Sequence, residues 1–85
     1  MAHYRLTVKG DIHEAKAAVT ARGLPYIDEW ENPRADSTFV RIEATDEVLA
    51  ILTEWLSERP PFIRGFGYPA GTLLHFRRQE DDDAL

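Results

Sequence analysis

The spacing of apolar residues limits the possible folds of this chain more than any other feature of its sequence. Apolar residues recur at every second position in four segments, which predicts strands, and at three- to four-residue spacing in two others, which predicts helices. In chain order the pattern is strand, helix, strand, strand, helix, strand. We therefore predict an α+β protein with strands over 3–9, 24–31, 38–44 and 72–78 and helices that begin at Asp11 and at Thr45 or Asp46.

Each predicted helix has a recognisable beginning and end. Asp11 precedes the first helix, and Glu14 follows three residues later, which is the spacing of a capping box. Gly23 ends this helix, because glycine adopts the left-handed conformation without a Cβ penalty. The second helix has a broad apolar face and ends before Pro60, since the residue before a proline is pushed out of the α region.

The connections between the strands restrict the order of the sheet. Residues 32–37 contain Asn32, Pro33 and Asp36, which are turn-forming residues, so the second and third strands form an antiparallel hairpin. Pro25 cannot donate a ladder hydrogen bond, which places the second strand at an edge. With right-handed crossovers, these constraints predict a four-stranded antiparallel sheet of order 4-1-3-2 with both helices on one face.

That topology resembles the ferredoxin-like βαββαβ plait, and the resemblance covers residues 1–79. It is a resemblance of topology alone and implies no activity, because the same plait hosts enzymes, RNA-binding domains, metal carriers and effector-binding domains. The strand alternation predicts that one face of the sheet packs against the helices. The predicted core residues are Leu6, Val8, Val40, Ile42, Leu74 and Phe76 of the strands and Ala15, Val19, Leu52 and Trp55 or Leu56 of the helices.

Length and composition predict a single soluble domain. The chain has 85 residues and no cysteine, which excludes disulfides, thiolate metal sites and cysteine nucleophiles. The sequence begins with a strand pattern instead of a signal peptide, and no apolar run approaches the ~18–20 residues that a membrane span needs. We therefore expect a cytoplasmic protein with no membrane partner.

The net charge of −5 is concentrated at the carboxyl end of the sequence. Residues 80–83, Glu-Asp-Asp-Asp, hold four of the 15 acids, so residues 1–79 carry 11 acids and 10 bases. A block of like charges repels itself and has nothing to pack against. Residues 80–85 are therefore predicted to form a disordered acidic tail, and an acidic arm for a basic partner is the alternative.

The face of the sheet that the helices leave open carries the first candidate site. In the second strand, the alternation points either Tyr26, Asp28 and Trp30 outward or Ile27, Glu29 and Glu31. We favour the first arrangement, with Ile27 inward, because burying Asp28 without a partner would cost several kcal/mol. Leu73 of the last strand is also predicted to point outward. Exposed aromatic rings among arginines are typical of binding hot spots, although cross-strand pairs that only stabilise the sheet have the same composition. The predicted binding residues of this face are Arg5, Tyr26, Trp30, Phe39, Arg41, His75 and Arg77.

Residues 60–71 form the second candidate site. This connection contains three prolines, three glycines and several aromatic side chains, and it is more apolar than a surface loop needs to be. Two interpretations are open: the aromatic side chains close the end of the core, or they contact a partner from a rigid scaffold. The candidate binding residues are Phe62, Arg64, Phe66 and Tyr68.

Two segments resemble the RNA-recognition plait, in which aromatic residues of the first and third strands stack on bases. Residues 6–10, Leu-Thr-Val-Lys-Gly, resemble its strand-one motif, and residues 39–42, Phe-Val-Arg-Ile, resemble the end of its strand-three motif. Thr7 and Ser37 stand where the stacking aromatics belong, and the acidic net charge removes the attraction that dominates nucleic-acid binding. Nucleic acid is therefore not the expected partner.

The sequence contains no motif for catalysis or metal binding. His3 and His75 belong to neighbouring predicted strands, but a third ligand at a fixed spacing is missing. His13 lies on the outer face of the first helix. The loop 9–11, Lys-Gly-Asp, lacks the Gly-rich, Arg-bearing sequence with which the plait-fold acylphosphatases cradle phosphate, and Asp11 repels a phosphate at the helix N-terminus. We expect no enzyme activity, no metal and no cofactor.

These observations predict a small non-enzymatic binding or regulatory module that acts through protein–protein contacts, as a homodimer or as a subunit of a larger assembly. The first alternative is an effector-binding domain of ACT-like topology, with a small molecule bound at a subunit interface. The second alternative is a domain that binds single-stranded nucleic acid.

Overall fold

The computed structural model describes residues 2–80, and its elements follow the predicted order. Neighbouring strands are antiparallel and the sheet order is β2-β3-β1-β4, which is the predicted order read from the opposite edge. Glu80 is the last residue of β4, and the rest of the predicted acidic tail lies outside the described residues. The elements are β1 (Ala2–Lys9), α1 (Ile12–Ala21), β2 (Tyr26–Glu31), β3 (Ser37–Glu43), α2 (Asp46–Ser57) and β4 (Leu73–Glu80).

The helices begin at the caps that the sequence predicts. Asp11 Oδ1 accepts a hydrogen bond from the amide of Glu14 at 2.8 Å, and Glu14 Oε1 accepts one from the amide of Asp11 at 3.0 Å. Gly23, just beyond α1, has a φ of 67°. Thr45, the first of the two candidates for the second cap, accepts a hydrogen bond from the amide of Val48 at 3.2 Å. Within the part of the chain that is described, neither helix is long and apolar enough to cross a membrane.

One hydrophobic core joins both helices to the same face of the sheet. Leu6 of β1 and Val40 of β3 are paired and fully buried, and Leu52 of α2 is also fully buried. Each such side chain contributes about 1.5–3 kcal/mol when it leaves water. Phe76 packs against this core, with its ring centroid 5.7 Å from that of Tyr4. The buried apolar residues are Tyr4, Leu6, Val8, Val40, Ile42 and Leu73 of the strands, Ala15, Val19, Val48, Leu52 and Trp55 of the helices, and Leu24.

A β-bulge in the pairing of β1 with β4 changes the predicted register of β4. Thr7 pairs with His75 and Val8 pairs with Leu73, so Leu74 is the extra residue. Leu73 consequently lies in the core with no exposed surface, whereas Leu74 is partly exposed. The prediction that Leu74 points inward and Leu73 outward is wrong, because one extra residue transfers the preceding side chain to the opposite face.

A second bulge lies in the pairing of β2 with β3. Tyr26 pairs with Ile42, but the pairing resumes at Asp28, so Ile27 is the extra residue. Because Ile42 belongs to the core face, Tyr26 also lies on the helix side of the sheet, where its ring packs against the core 5.0 Å from Lys16 Nζ. The prediction that Tyr26 faces outward is wrong, and Ile27, predicted to point inward, is 46% exposed.

Candidate functional site

The face of the sheet opposite the helices is formed by the residues that alternate with the core residues. Strand pairing aligns them in rows that cross the sheet, and six of the seven predicted sheet-face residues lie in two of these rows, Tyr26 being the exception. We call the row of Trp30, Phe39, Thr7 and His75 the aromatic row, and the row of Asp28, Arg41, Arg5 and Arg77 the arginine row.

The aromatic row contains a ring pair that is held in place but remains accessible. The centroids of Trp30 and Phe39 are 5.6 Å apart, and their planes are tilted by 39°. The guanidinium carbon of Arg5 lies 5.2 Å from the centroid of Phe39. Trp30 is 40% exposed and Phe39 is partly exposed. A ring pair of this kind contributes about 0.5–1.5 kcal/mol beyond its burial, so its geometry is fixed before any partner binds.

The arginine row concentrates positive charge at the centre of the face. Arg5 lies directly opposite Arg41 on one side and Arg77 on the other. Like charges directly opposed on neighbouring strands destabilise a sheet. Asp28 offsets part of this repulsion, because both of its carboxylate oxygens accept hydrogen bonds from the guanidinium of Arg41. Three arginines and one aspartate still leave the row with a net charge of +2.

The ion pair of Asp28 with Arg41 is a bidentate contact that solvent reaches. Arg41 Nε donates to Asp28 Oδ1 at 3.0 Å, and Arg41 Nη2 donates to Asp28 Oδ2. The side chain of Asp28 is 43% exposed and that of Arg41 is 33% exposed. Exposed ion pairs of this kind contribute roughly 0–1 kcal/mol to stability. The contact therefore orients Arg41 more than it stabilises the fold.

Arg5 and Arg77 are the cationic groups of the row that an incoming anion can use. Within residues 2–80, no carboxylate lies within ion-pair distance of either side chain. The Nε of Arg5 is also buried without a hydrogen-bond partner. A buried polar atom without a partner costs about 1–3 kcal/mol.

The histidines of the sheet face are too far apart to act together. His3 pairs with Gln79, whose Oε1 lies 3.1 Å from His3 Nε2, whereas His75 pairs with Thr7. The two pairs are four positions apart along β1, which corresponds to roughly 13 Å. In residues 2–80, no group of three or more His, Asp or Glu side chains is placed to hold a metal ion.

The segment 60–71 contains a turn closed by its own backbone hydrogen bonds. The amide of Ile63 donates to the carbonyl of Gly67 at 3.2 Å, and the amide of Gly67 donates to the carbonyl of Ile63 at 2.7 Å. Gly65 and Gly67 have φ values of 91° and 72°, which other residues adopt only with strain. Phe66, inside this turn, is 82% exposed, and Phe62 and Ile63 are exposed as well, so these three side chains do not close the end of the core.

An apolar cleft of about 340 Å³ lies against this segment. Tyr68 lines the cleft and is held by two neighbours, since its ring centroid lies 5.4 Å from that of Phe62 and 5.3 Å from the guanidinium carbon of Arg59. A cavity of this volume is at the small end of ligand pockets, which hold ~300–1,000 Å³. The lining residues are Pro60, Pro61, Ile63, Phe66, Gly67, Tyr68 and Pro69.

Lys9 connects the open sheet face to the segment 60–71. It lies on the same face of β1 as Thr7, and its Nζ lies 3.5 Å from Asp36 Oδ2. A Cβ added to Gly67 would lie 3.9 Å from the same Nζ. The backbone of Lys9 also accepts a hydrogen bond from the amide of Gly71 at 2.7 Å. The two candidate surfaces are therefore adjacent at the end of β1.

Two features of these surfaces are not predicted by the sequence pattern. The bidentate contact of Asp28 with Arg41 depends on the register of the hairpin, which the bulge at Ile27 sets. The walls of the cleft include prolines and Ile63, which are absent from the predicted binding residues, and the concentration of prolines in 60–71 is the signal that could have indicated them. Arg64, a predicted binding residue, is exposed on the same turn.

A scan of protein-family models, a search of curated proteins and a search of solved structures each found no match to this chain. Its function is therefore inferred from the chemistry of the two surfaces.

Proposed function

We propose that this protein is a small non-enzymatic binding module that acts through protein–protein contacts of its open sheet face and of the segment 60–71. The observation that supports this function most directly is the exposed Trp30–Phe39 pair beside the arginine row. Aromatic residues and arginine contribute most of the binding energy at protein interfaces. A sheet face that is only solvated requires neither.

The fold that accompanies this proposal is the ferredoxin-like plait. The strand order β2-β3-β1-β4 and the packing of both helices on one face are consistent with that topology. Its helices protect one side of the sheet, so the other side is available to a partner. The position of Lys9 beside Gly67 allows one partner to contact both surfaces at once.

Light scattering and affinity capture test the proposal together. Self-association is measured at ~0.15 M salt, where exposed charges more than about 8 Å apart are largely screened. The amount of partner protein that the immobilised chain captures is then compared between the native chain, Phe39→Ala and Phe66→Ala. We expect association, with itself or with another protein, to weaken by about tenfold in Phe39→Ala, because buried anchors dominate interfaces.

The matched control is Thr53→Ala, an exposed substitution on the outer side of α2. It is expected to leave association unchanged. Association that neither Phe39→Ala nor Phe66→Ala alters would contradict the proposal. A monomer that shifts a single-stranded oligonucleotide, with the shift lost in Phe39→Ala, would contradict it as well.

An effector-binding domain is a second candidate, and the apolar cleft beside Tyr68 favours it. A titration with a set of small aromatic carboxylates, monitored through the amide chemical shifts of the chain, separates the two functions. Shifts confined to residues 60–69, with saturation, would favour a small-molecule site. If the shifts of residues 60–69 do not change, the effector-binding function is excluded and the protein-binding function remains.

A further inference from the structure

We propose that the arginine row binds the carboxylates of an acidic segment of another protein, while the aromatic row packs against an apolar or aromatic residue of that segment. This inference rests on the proposed function and specifies the partner of its sheet-face site.

The unpaired charge of the face selects an anion. Within the described residues, Arg5 and Arg77 have no carboxylate within ion-pair distance, although they are directly opposed to each other. Arg5 is also partly withdrawn from water by the ring of Phe39, which strengthens its attraction for an opposite charge. A guanidinium donates two parallel hydrogen bonds to a carboxylate, so this pair of arginines fits one or two carboxylates of a partner.

The second helix, on the other side of the sheet, carries only acidic charge. No Lys or Arg occurs between residues 46 and 58, and the acids of this stretch are exposed. An acidic partner is repelled by this helix and attracted to the sheet face, which orients it before contact. The exposed acids of residues 46–58 are Asp46, Glu47, Glu54 and Glu58.

The size of the patch favours a protein segment over a nucleic acid. Arg41, Arg5 and Arg77 span two inter-strand spacings, or about 10 Å. That width accommodates about two anionic groups, whereas proteins that bind DNA tightly contact about 6–10 phosphates.

A second copy of this chain is a poorer occupant of the same face. If two open faces met about a two-fold axis, each would present its own arginine row to the other. The net charge of +2 in each row would then oppose association. An acidic segment from another protein has the complementary charge and encounters no such repulsion.

The aromatic row lies next to the arginine row, so one segment can contact both. Phe39 and Arg41 are two positions apart on β3, which corresponds to roughly 7 Å. An apolar or aromatic residue of the partner can therefore cover the exposed Trp30 ring while an acidic residue of the same segment, a few positions away, reaches Arg5 or Arg77. The predicted recognition element is an acidic residue within a few positions of an aromatic one.

The test uses a fluorescein-labelled peptide of about ten residues that contains Glu, Asp and one Trp, because this length extends across roughly 33 Å and exceeds the width of the sheet. A second peptide carries Gln and Asn in place of Glu and Asp. A single-stranded oligonucleotide of about the same length is the third probe. Fluorescence anisotropy is measured with the full chain at ~0.05 M and at ~0.5 M salt.

Arg77→Gln and Arg78→Gln form the matched pair of variants. Both arginines are exposed neighbours on β4 and each substitution removes one charge, but Arg77 pairs with Arg5 on the open face and Arg78 pairs with Tyr4 on the helix side. We expect the acidic peptide to bind about tenfold more weakly to Arg77→Gln, since one charge-assisted contact is lost. Binding to Arg78→Gln is expected to stay within about twofold of the native chain, because exposed charges off the site contribute little.

The remaining outcomes separate this inference from the proposed function. No binding of the acidic peptide, equal binding of the amide peptide, equal losses in both arginine variants, or tighter binding of the oligonucleotide would each overturn the acidic partner. Peptide binding that competes with self-association would assign the face to a second copy and would also overturn it. If Phe39→Ala still weakened association in those cases, the protein-binding function would stand. If no sheet-face or segment variant altered association, both proposals would fail.

Discussion

The open sheet face and the segment 60–71 both expose aromatic side chains, but they hold them in different ways. On the sheet face, the rings of Trp30 and Phe39 contact each other, and strand pairing fixes their positions. In the segment, Phe66 is 82% exposed, and its position depends on a turn closed by backbone hydrogen bonds of Gly67. One surface is therefore shaped by side-chain packing and the other by backbone conformation.

This difference predicts which substitutions affect stability and which affect binding alone. On the sheet face, removal of a ring takes away contacts within the chain as well as any contact with a partner. In the segment, removal of the Phe66 ring leaves the contacts within the chain almost unchanged, because this ring is 82% exposed. A substitution that strains the backbone of the turn is expected to change the shape of the whole segment.

The largest effect on stability is expected for a substitution in the hydrophobic core, because both surfaces depend on it. Leu52 of α2 is fully buried in the core beneath the sheet, and α2 leads directly into the segment. We expect Leu52→Ala to lower the free energy of unfolding by about 2–5 kcal/mol, measured by chemical denaturation, because it leaves a cavity. A loss below about 1 kcal/mol would mean that α2 does not support the sheet as described.

Phe39→Ala and Phe66→Ala compare the two surfaces directly. Phe39 is partly buried and contacts Trp30 and Arg5, so its loss is expected to lower the free energy of unfolding by about 2 kcal/mol. Phe66→Ala is expected to change stability by less than about 0.5 kcal/mol, because the ring is mostly in water already. Equal losses in the two variants would contradict the distinction between the surfaces.

Gly67→Ala tests the dependence of the segment on its backbone. A methyl group at this position meets nothing closer than 3.9 Å, but the φ of 72° is strained for any residue with a Cβ. We expect a loss of roughly 1–2 kcal/mol in the free energy of unfolding, from the left-handed conformation alone. Arg64→Ala, an exposed substitution in the same turn, is the control, with an expected change of less than about 0.5 kcal/mol. A Gly67→Ala chain as stable as the control would show that the turn is not constrained.

The central strands could be predicted from the sequence better than the edge strands, for a physical reason. In β1 and β3 the pairing runs without interruption over seven residue pairs, so the alternation of Leu6, Val8, Val40 and Ile42 correctly predicts their faces. Each edge strand contains a bulge, and bulges are common at sheet edges because only one side is paired. One extra residue reverses the alternation on one side of it, and this reversal accounts for the errors at Tyr26 and Ile27 and at Leu73 and Leu74.

For the candidate surfaces, the sequence predicts which residues are present better than how they contact each other. The alternation predicts that Arg5 and Arg41 share a face, because both lie on regularly paired strands. It does not predict that Asp28 reaches Arg41, since that contact depends on where the bulge of β2 falls. The cleft beside Tyr68 is likewise a consequence of the three-dimensional path of a segment that has no periodic pattern.

A small effect on stability is expected for Asp28→Asn, which alters the charge of the arginine row without removing a ring or straining the backbone. The Asp28–Arg41 pair is solvent-exposed, so the free energy of unfolding is expected to fall by less than about 1 kcal/mol, and by less still at high salt. The same substitution removes the only carboxylate of the arginine row. Affinity for the acidic peptide is therefore expected to rise by a few fold, in the direction opposite to the change in stability.

Glu43→Gln is the matched control for this prediction. Glu43 is exposed on the same face, opposite His3, and its substitution changes the net charge by the same amount, but it lies outside the arginine row. By chemical denaturation and peptide anisotropy, its free energy of unfolding and its affinity for the acidic peptide are expected to stay close to those of the native chain. The reason is that Glu43 forms no ion pair within residues 2–80 and the arginine row is unchanged. An equal gain in affinity for both variants would attribute the effect to net charge. Weaker binding in Asp28→Asn would mean instead that the carboxylate holds Arg41 in the geometry that the partner needs, and the sheet face would then depend on its internal pairing even more than the comparison with the segment implies.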